Sequence, residues 1–295
     1  MYEEYYGFVE KPFSLTPDPK YLYRSEAHAN ALELLQYAID RREGFVVVTG
    51  DIGTGKTTLC RALLEQADRK TFTALLLNPF LSEEGLLKAI LQDLGVLSRS
   101  EDRASPREPT KQDLINTLYD FLLSLVPLGA RAVLIIDEAQ NLPLPILEQI
   151  RILSNLETDK DKLLQIVLVG QLNLTTLLRS PELRQLDQRV SIRCELTPLN
   201  ADEVTAYVAH RLAVANGARA VTFTPRALER MYQYSGGIPR LINLICDRAL
   251  LAAYSAQTAR LDVDLIDMAA AALELRTNEP VRSSWINRLR RVLPS

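Results

Sequence analysis

The stretch VVVTGDIGTGKTTLC, Val46 to Cys60, decides the fold. An apolar run of strand length breaks into a turn of glycines with a lysine, and a helical pattern follows. Gly50-Asp51-Ile52-Gly53-Thr54-Gly55-Lys56-Thr57 fits the phosphate-loop pattern G-x-x-x-x-G-K-[ST]. Glycines at these positions let backbone N–H groups curl around phosphate oxygens. A helix starting near Gly55 adds the positive end of its dipole. The pattern predicts that Lys56 reaches the β- and γ-phosphates of a nucleoside triphosphate and that the Thr57 hydroxyl ligates Mg²⁺. Thr58 closes the predicted binding stretch, its side chain assigned, like that of Cys60, to packing. A glycine-rich turn with an incidental lysine is the alternative, and the strand before and helix after the loop argue against it.

Working outward, VLIIDEAQ (133–140) supplies the second half of a triphosphate site. Its apolar run places Asp137 at the carboxyl end of a central strand, where ligands of parallel sheets sit. Asp137 is predicted to hold the Mg²⁺ directly or through water. Glu138, one position on, is predicted to polarise the attacking water as a general base. LVGQ (168–171) ends the next strand with Gln171, placed either to orient water against the γ-phosphate or as an ordinary loop residue. LRQLDQRV (183–190) carries Arg184 and Arg189, candidates for phosphate recognition or for surface ion pairs. SGGIPRL (235–241) puts Arg240 at a helix start beyond two glycines, a position from which a lid reaches back to the nucleotide.

Between these motifs, strand-length apolar runs alternate with helical patterns. The predicted strands are 45–50, 72–78, 132–138, 164–170 and 190–196, and the predicted helices lie near 26–42, 56–69, 83–95, 111–126 and 144–157. Strands without clean polar alternation, separated by helices, indicate a parallel sheet buried on both faces. The expected fold is therefore α/β, a P-loop parallel sheet sandwiched by helices. After Pro198 the strand signals stop and a small all-helical lid is expected. Asn200 with Glu203 forms a capping-box pattern with Gly217 at the stop, and Thr224-Pro225 opens the next helix. The expected divisions are 1–44 as an aromatic segment and first helix, 45–198 as the P-loop α/β core, 199–275 as the lid, and 276–295 as a basic tail.

Composition narrows the class. The 295 residues are 47% hydrophobic and 24% charged, ordinary for a globular chain. Cys60, Cys194 and Cys246 lie far apart without metal-ligand spacing, and His28 and His210 are isolated, so buried reduced thiols and no metal cluster are expected. The N-terminus MYEEYYGFVEKPF lacks the basic and apolar regions of a signal peptide, and no apolar run reaches the ~18 residues of a membrane span. Net charge is −3, but five arginines against Glu279 give 276–295 a charge of +4, leaving −7 elsewhere. An acidic body argues against a broad nucleic-acid surface.

The phosphate loop, IIDEAQ, VGQ, QRV and GGIPR, in this order, resemble the AAA+ ATPases. YYGFVEKPFSLTPDPKYLYRSEAHANALELLQYAI, GDIGTGKTTLCRALL and NPFLSEEGLLKAILQDLG narrow the resemblance to the ATPase domain of the secretion-pathway GspA/ExeA family, over about residues 1–275. The resemblance implies ATP and Mg²⁺ as ligands, with Gly50–Thr58 and Arg240 at the nucleotide, Thr57 and Asp137 at the metal, and Lys56 and Glu138 in catalysis. It implies Gln171 at the first sensor position and Arg240 at the second. Arg189 is the first choice for an arginine finger acting on a neighbour's ATP, with Arg184 its rival. The N-terminal aromatics are expected near the adenine, or, with Tyr5, Phe8 and Phe13, as a seal at the domain junction.

Longer members of that family continue into a membrane helix and a peptidoglycan-binding region, neither of which precedes Ser295 here. The segment SSWINRLRRVLPS (283–295) is a short basic amphipathic pattern suited to anionic lipid or a partner, or a docked or frayed tail. The expected function is an ATP-hydrolysing assembly motor of a secretion or pilus system. It would work as a homo-oligomeric ring or filament with ATP sites between subunits, in the cytoplasm or peripherally on the inner membrane. Two alternatives are a DNA-binding regulator of transposition-type target selection, less favoured on charge, and a nucleotide-gated scaffold with little turnover.

Overall fold

The computed structural model describes residues 2–77, 82–98, 108–158, 162–215 and 221–276. In chain order the elements are α1 (Tyr2–Tyr6), α2 (Glu26–Asp40), β1 (Phe45–Gly50), α3 (Lys56–Gln66), β2 (Thr71–Leu76), α4 (Glu83–Asp93), α5 (Lys111–Leu125), β3 (Arg131–Ile136), α6 (Leu144–Leu153), β4 (Leu164–Gly170), α7 (Asn173–Leu178), α8 (Arg184–Asp187), β5 (Val190–Leu196), α9 (Ala201–Val214), β6 (Thr222–Phe223), α10 (Pro225–Ser235), α11 (Pro239–Ser255), β7 (Arg260–Leu261) and α12 (Val263–Ala272). Pro17–Thr197 forms one compact unit, and the residues up to Thr16 together with those from Pro198 form another.

The first unit is built on a five-stranded sheet in the order β2-β3-β4-β1-β5, with every neighbouring pair parallel. Strand residues alternate between two cores. Phe45, Val47, Leu134, Ile136, Ile166 and Leu168 face α4, α5 and α6, while Val46, Val48, Val133, Ile135, Val167 and Val169 face α2 and α3. The inner strands β1, β3 and β4 are buried on both faces, which is why they read as unbroken apolar runs, whereas β5 at the sheet edge exposes Ser191, Arg193 and Glu195. Register aligns Thr49 with Gly170 and Ile136 with Leu168. The residues that follow β1, β3 and β4 therefore emerge at one edge of the sheet.

The helix starts follow their capping residues. Ser82 accepts from Gly85 N–H, and Thr110 with Asp113 closes a reciprocal capping box. Predicted strands 45–50, 164–170 and 190–196 match β1, β4 and β5 end to end. β2 and β3 each begin one residue earlier and end two residues before the predicted limits. Asn78, the predicted last residue of β2, and most of the predicted surface loop 98–110 lie outside the described residues.

The second unit corrects one expectation: it is not all-helical. Thr222–Phe223 and Arg260–Leu261 pair in parallel as β6 and β7. Two-residue strands are too short to carry an alternation signal, and each is followed closely by a capping residue, Thr224 or Asp262, that dominates the local reading. The Asn200–Glu203 capping box forms as expected, but α9 ends at Val214 with Ala215 as its cap, and Gly217 lies outside the described residues. The N-terminal aromatic segment packs within this unit. Tyr6 Oη donates to Thr258 O at 2.8 Å, Tyr5 meets Tyr254 edge-on at 5.2 Å, and the buried Arg211 donates to Pro12 O at 2.6 Å and to Ser14 O at 2.9 Å. Phe8 and Phe13 are buried there as well. Residues 283–295, the predicted amphipathic tail, lie outside the described residues. Among the described residues no helix is long and apolar enough to cross a membrane.

Candidate nucleotide site

The loop between β1 and α3 makes its turn through Gly53 and Gly55, whose φ angles of 83° and 99° fall in the left-handed region that glycine enters without a Cβ clash. Gly55 is the N-cap of α3 and uses no side chain to cap it, so the first N–H groups of the helix face the loop. Thr54 is fully buried beneath the turn and its hydroxyl donates to Asp51 O at 2.9 Å. Asp51 and Ile52 form the exposed outer turn, where Asp51 Oδ1 accepts from Ile52 N–H at 2.7 Å.

Lys56 opens α3 and is only 6% exposed. Its ammonium donates to Gly50 O at 2.9 Å and to Asp51 O at 2.8 Å, which draws the side chain back across the loop. Burial pushes the Lys56 ammonium below its usual value, and the nearby charges of Glu138, Asp137 and Asp51 oppose that shift. Thr57, next on the helix, donates its hydroxyl to Asp137 Oδ2 at 2.5 Å. Thr58 is half-buried, and Cys60 is buried among the side chains under α3.

Asp137 leaves β3 with both carboxylate oxygens engaged, since Oδ1 accepts from Glu138 N–H at 2.8 Å. Glu138 has a left-handed backbone, φ 52° and ψ 35°, unusual for a residue with a side chain. Its carboxylate accepts from Gln140 Nε2 at 2.6 Å. Gln140 Oε1 in turn accepts from the backbone N–H of Gln171, the residue after β4, at 3.0 Å. The structure thus brings Lys56, Thr57, Asp137, Glu138 and Gln171 to one edge of the sheet. Thr57 and Asp137 offer a hydroxyl and a carboxylate, hard oxygen donors suited to Mg²⁺. Among the described residues no larger group of His, Cys, Asp or Glu gathers for a metal ion. A cation held there would rely on triphosphate oxygens and water for its other ligands, the usual Mg²⁺ arrangement.

The arginines are placed differently. Arg189 donates to Arg151 O at 3.1 Å and to the Ser154 hydroxyl at the end of α6. Arg184 is exposed at the start of α8. Arg240 belongs to the second unit, exposed on the first turn of α11.

Two residues were missed by motif reading. Gln140 lies inside IIDEAQ, but nothing in its spacing distinguished it. His28, on α2, is buried and props the loop from behind: its Nε2 lies 2.9 Å from Thr54 O and its Nδ1 lies 2.7 Å from Ser25 Oγ. A carbonyl only accepts, so Nε2 carries the hydrogen, and in the neutral imidazole Nδ1 then accepts from the serine hydroxyl. The signal for this was Ser25 three residues before His28 at a helix start, outside any metal or nucleophile pattern.

A phosphate loop facing an Asp-Glu pair across a parallel sheet in this strand order defines an AAA+ P-loop fold. Residues 39–178 match the family model described as an AAA domain. The chain is similar to General secretion pathway protein A of Aeromonas hydrophila, 48% identical over 255 residues, which covers 86% of this chain and 45% of that one. The secretion-family resemblance read from the motifs is borne out by this match, and the chain spans under half the length of that relative. Solved structures of similar fold include Cdc6p from Pyrobaculum aerophilum (TM-score 0.70, 17% identity, 97% of this chain and 75% of that one). They also include the Aeropyrum pernix ORC2 protein in its ADPNP-ADP complexes (0.66, 16%, 97% and 75%) and the Thermotoga maritima RuvB Holliday junction branch migration motor (0.56, 21%, 85% and 70%). At these identities the likeness concerns the fold.

Proposed function

We propose that this chain binds ATP with Mg²⁺ at the β1–α3 loop and hydrolyses it, and that the cycle drives assembly of a homo-oligomer serving a secretion or pilus system. The observation that carries the proposal is the meeting of Lys56, Thr57, Asp137 and Glu138 at one sheet edge. Lys56 would release its loop carbonyls and donate to the β- and γ-phosphates. Thr57 and Asp137 would hold Mg²⁺, which, when bound, neutralises charge on the β- and γ-phosphates. Glu138 would take a proton from water as the water oxygen attacks the γ-phosphorus and the bond to the β-γ bridging oxygen breaks, leaving ADP and phosphate. The secretion context rests on the similarity to General secretion pathway protein A.

The pathway is tested by comparing the full chain with a chain ending at Leu275, each given duplex DNA or anionic liposomes at physiological salt. Liposome binding lost on truncation, with no DNA effect on hydrolysis, is expected. DNA-stimulated hydrolysis that survives truncation and weakens steeply with salt would replace the secretion reading with a DNA-linked one.

Arginine fingers contribute ~10³–10⁵ in rate in some NTPases. Arg189→Ala is therefore expected to keep nucleotide binding and lose most hydrolysis, and mixing it with Glu138→Gln protein should restore part of the rate by pairing intact fingers with intact glutamates. Because Arg189 also anchors the end of α6, its thermal unfolding must be recorded alongside. A mixture as inactive as its parts, with recovery when Arg184→Ala is used instead, would transfer the role to Arg184.

A further inference from the structure

The bridge through Gln140 joins two positions that the chemistry keeps separate. On one side is the Glu138 carboxylate, which only accepts. On the other is the Gln171 backbone N–H, which only donates. A primary amide satisfies both at once in a single orientation, Nε2 toward Glu138 at 2.6 Å and Oε1 toward Gln171 at 3.0 Å. The flip of the amide would set donor against donor and acceptor against acceptor, so its orientation is fixed by its neighbours. Space for it is made by Gly170: a Cβ there would lie 2.6 Å from Gln140 Oε1 and 2.9 Å from Leu174 Cδ2.

The backbone on the same side is also constrained. The left-handed conformation of Glu138 is held by Asp137 Oδ1 on its N–H and by Asn141 N–H on its carbonyl at 2.9 Å. That conformation costs of order 1–3 kcal/mol and persists only where surroundings over-determine it. It sets the direction of the Glu138 Cβ, and the amide sets the direction of the carboxylate.

We infer that Gln140 is a positioning residue for hydrolysis, orienting the Glu138 carboxylate and tying it to the backbone at the end of β4. The inference rests on the reading of Glu138 as the activating base. Its consequence is that a shift of the β4 end, where Gln171 meets the γ-phosphate side of the site in the proposed reading, is passed to Glu138 without any contact between the two side chains. The amide neither donates to nor accepts from the reacting atoms. It acts through Glu138 alone.

The test is Gln140→Ala in the full chain, with ATP affinity measured by calorimetry and turnover measured separately. Affinity should be unchanged and kcat should fall roughly 10- to 100-fold, the scale on which small misplacements of a reacting group act. In a Glu138→Gln background the same change should cause no further loss, because residues acting through one group are not additive. Gly170→Ala, which crowds the amide without removing it, should lower kcat in the same way. Gln140→Glu, nearly isosteric, replaces the amide donor to Glu138 with a like charge and should lower kcat further than alanine does; it also serves as the decisive variant if Gln140→Ala does not fold. Unchanged kcat, equal losses of affinity and rate, or a full further loss in the Glu138→Gln background would each overturn the inference. Normal turnover by Glu138→Gln, or no hydrolysis by the unaltered chain, would remove the underlying reading and the inference with it. An inactive Glu138→Gln beside a normal Gln140→Ala would sink the inference alone.

Discussion

Lys56→Ala should abolish measurable ATP binding while leaving the fold intact. The ammonium would make two charge-assisted hydrogen bonds to the phosphates, at about 1.5–3 kcal/mol each. Their loss corresponds to roughly 10²–10⁴-fold in affinity. Stability should not suffer, for a reason visible in the site. Burial disfavours the Lys56 charge and pushes its pKa down, so removing the ammonium also removes a desolvation cost. What is lost is a pair of bonds to the carbonyls of Gly50 and Asp51. Calorimetric titration with ATP and a thermal melt separate the two effects. Tight binding by Lys56→Ala would reject the phosphate-loop assignment, and a large fall in melting temperature would make the binding result uninterpretable as a local change, in which case Lys56→Met, which keeps most of the stem, replaces it.

Glu138→Gln should retain ATP and lose hydrolysis by about 10²–10⁴-fold, the range for general-base catalysis. The substitution suits this site unusually well. The new amide can present its carbonyl oxygen to Gln140 Nε2, keeping the bond that Glu138 Oε2 now makes at 2.6 Å. The left-handed backbone and the Asp137 bond to its N–H do not depend on the carboxylate. The variant should therefore hold ATP in an otherwise unaltered pocket, and the ATP-bound oligomer should accumulate on sizing columns. Near-normal phosphate release would assign the activating role elsewhere.

Much of the core was legible because its signals are local. β1, β4 and β5 are bounded by the glycine after Thr49, the Gly170-Gln171 step and the Leu196-Thr197-Pro198 exit, and each boundary coincides with a change of residue type. Asp137 and Glu138 were found because an apolar run fixed their place at a strand end. The short β6–β7 pair escaped because two residues have no period to detect. Gln140 and His28 escaped for a different reason. Their importance lies in partners that the chain brings together only when folded, the Gln171 N–H across β4 and the Thr54 carbonyl across α2 and the loop. Neither residue type advertises such a partner, and no spacing rule relates a side chain to a distant backbone group.

The three cysteines offer something the unit boundaries alone do not: separate clocks for the opening of each half of the molecule. Cys60 and Cys194 lie in the sheet unit and Cys246 in the helical one, all free and buried. Burial raises each thiol above its usual value, that of Cys194 to about 11. Few of them are thiolate at neutral pH, and reagents reach them only when the surrounding structure breathes. Alkylation followed by mass spectrometry, with no label engineered in, would then time the sheet unit by two residues and the helical unit by one. A nucleotide that stiffens only the first would slow two of the clocks and leave the third running.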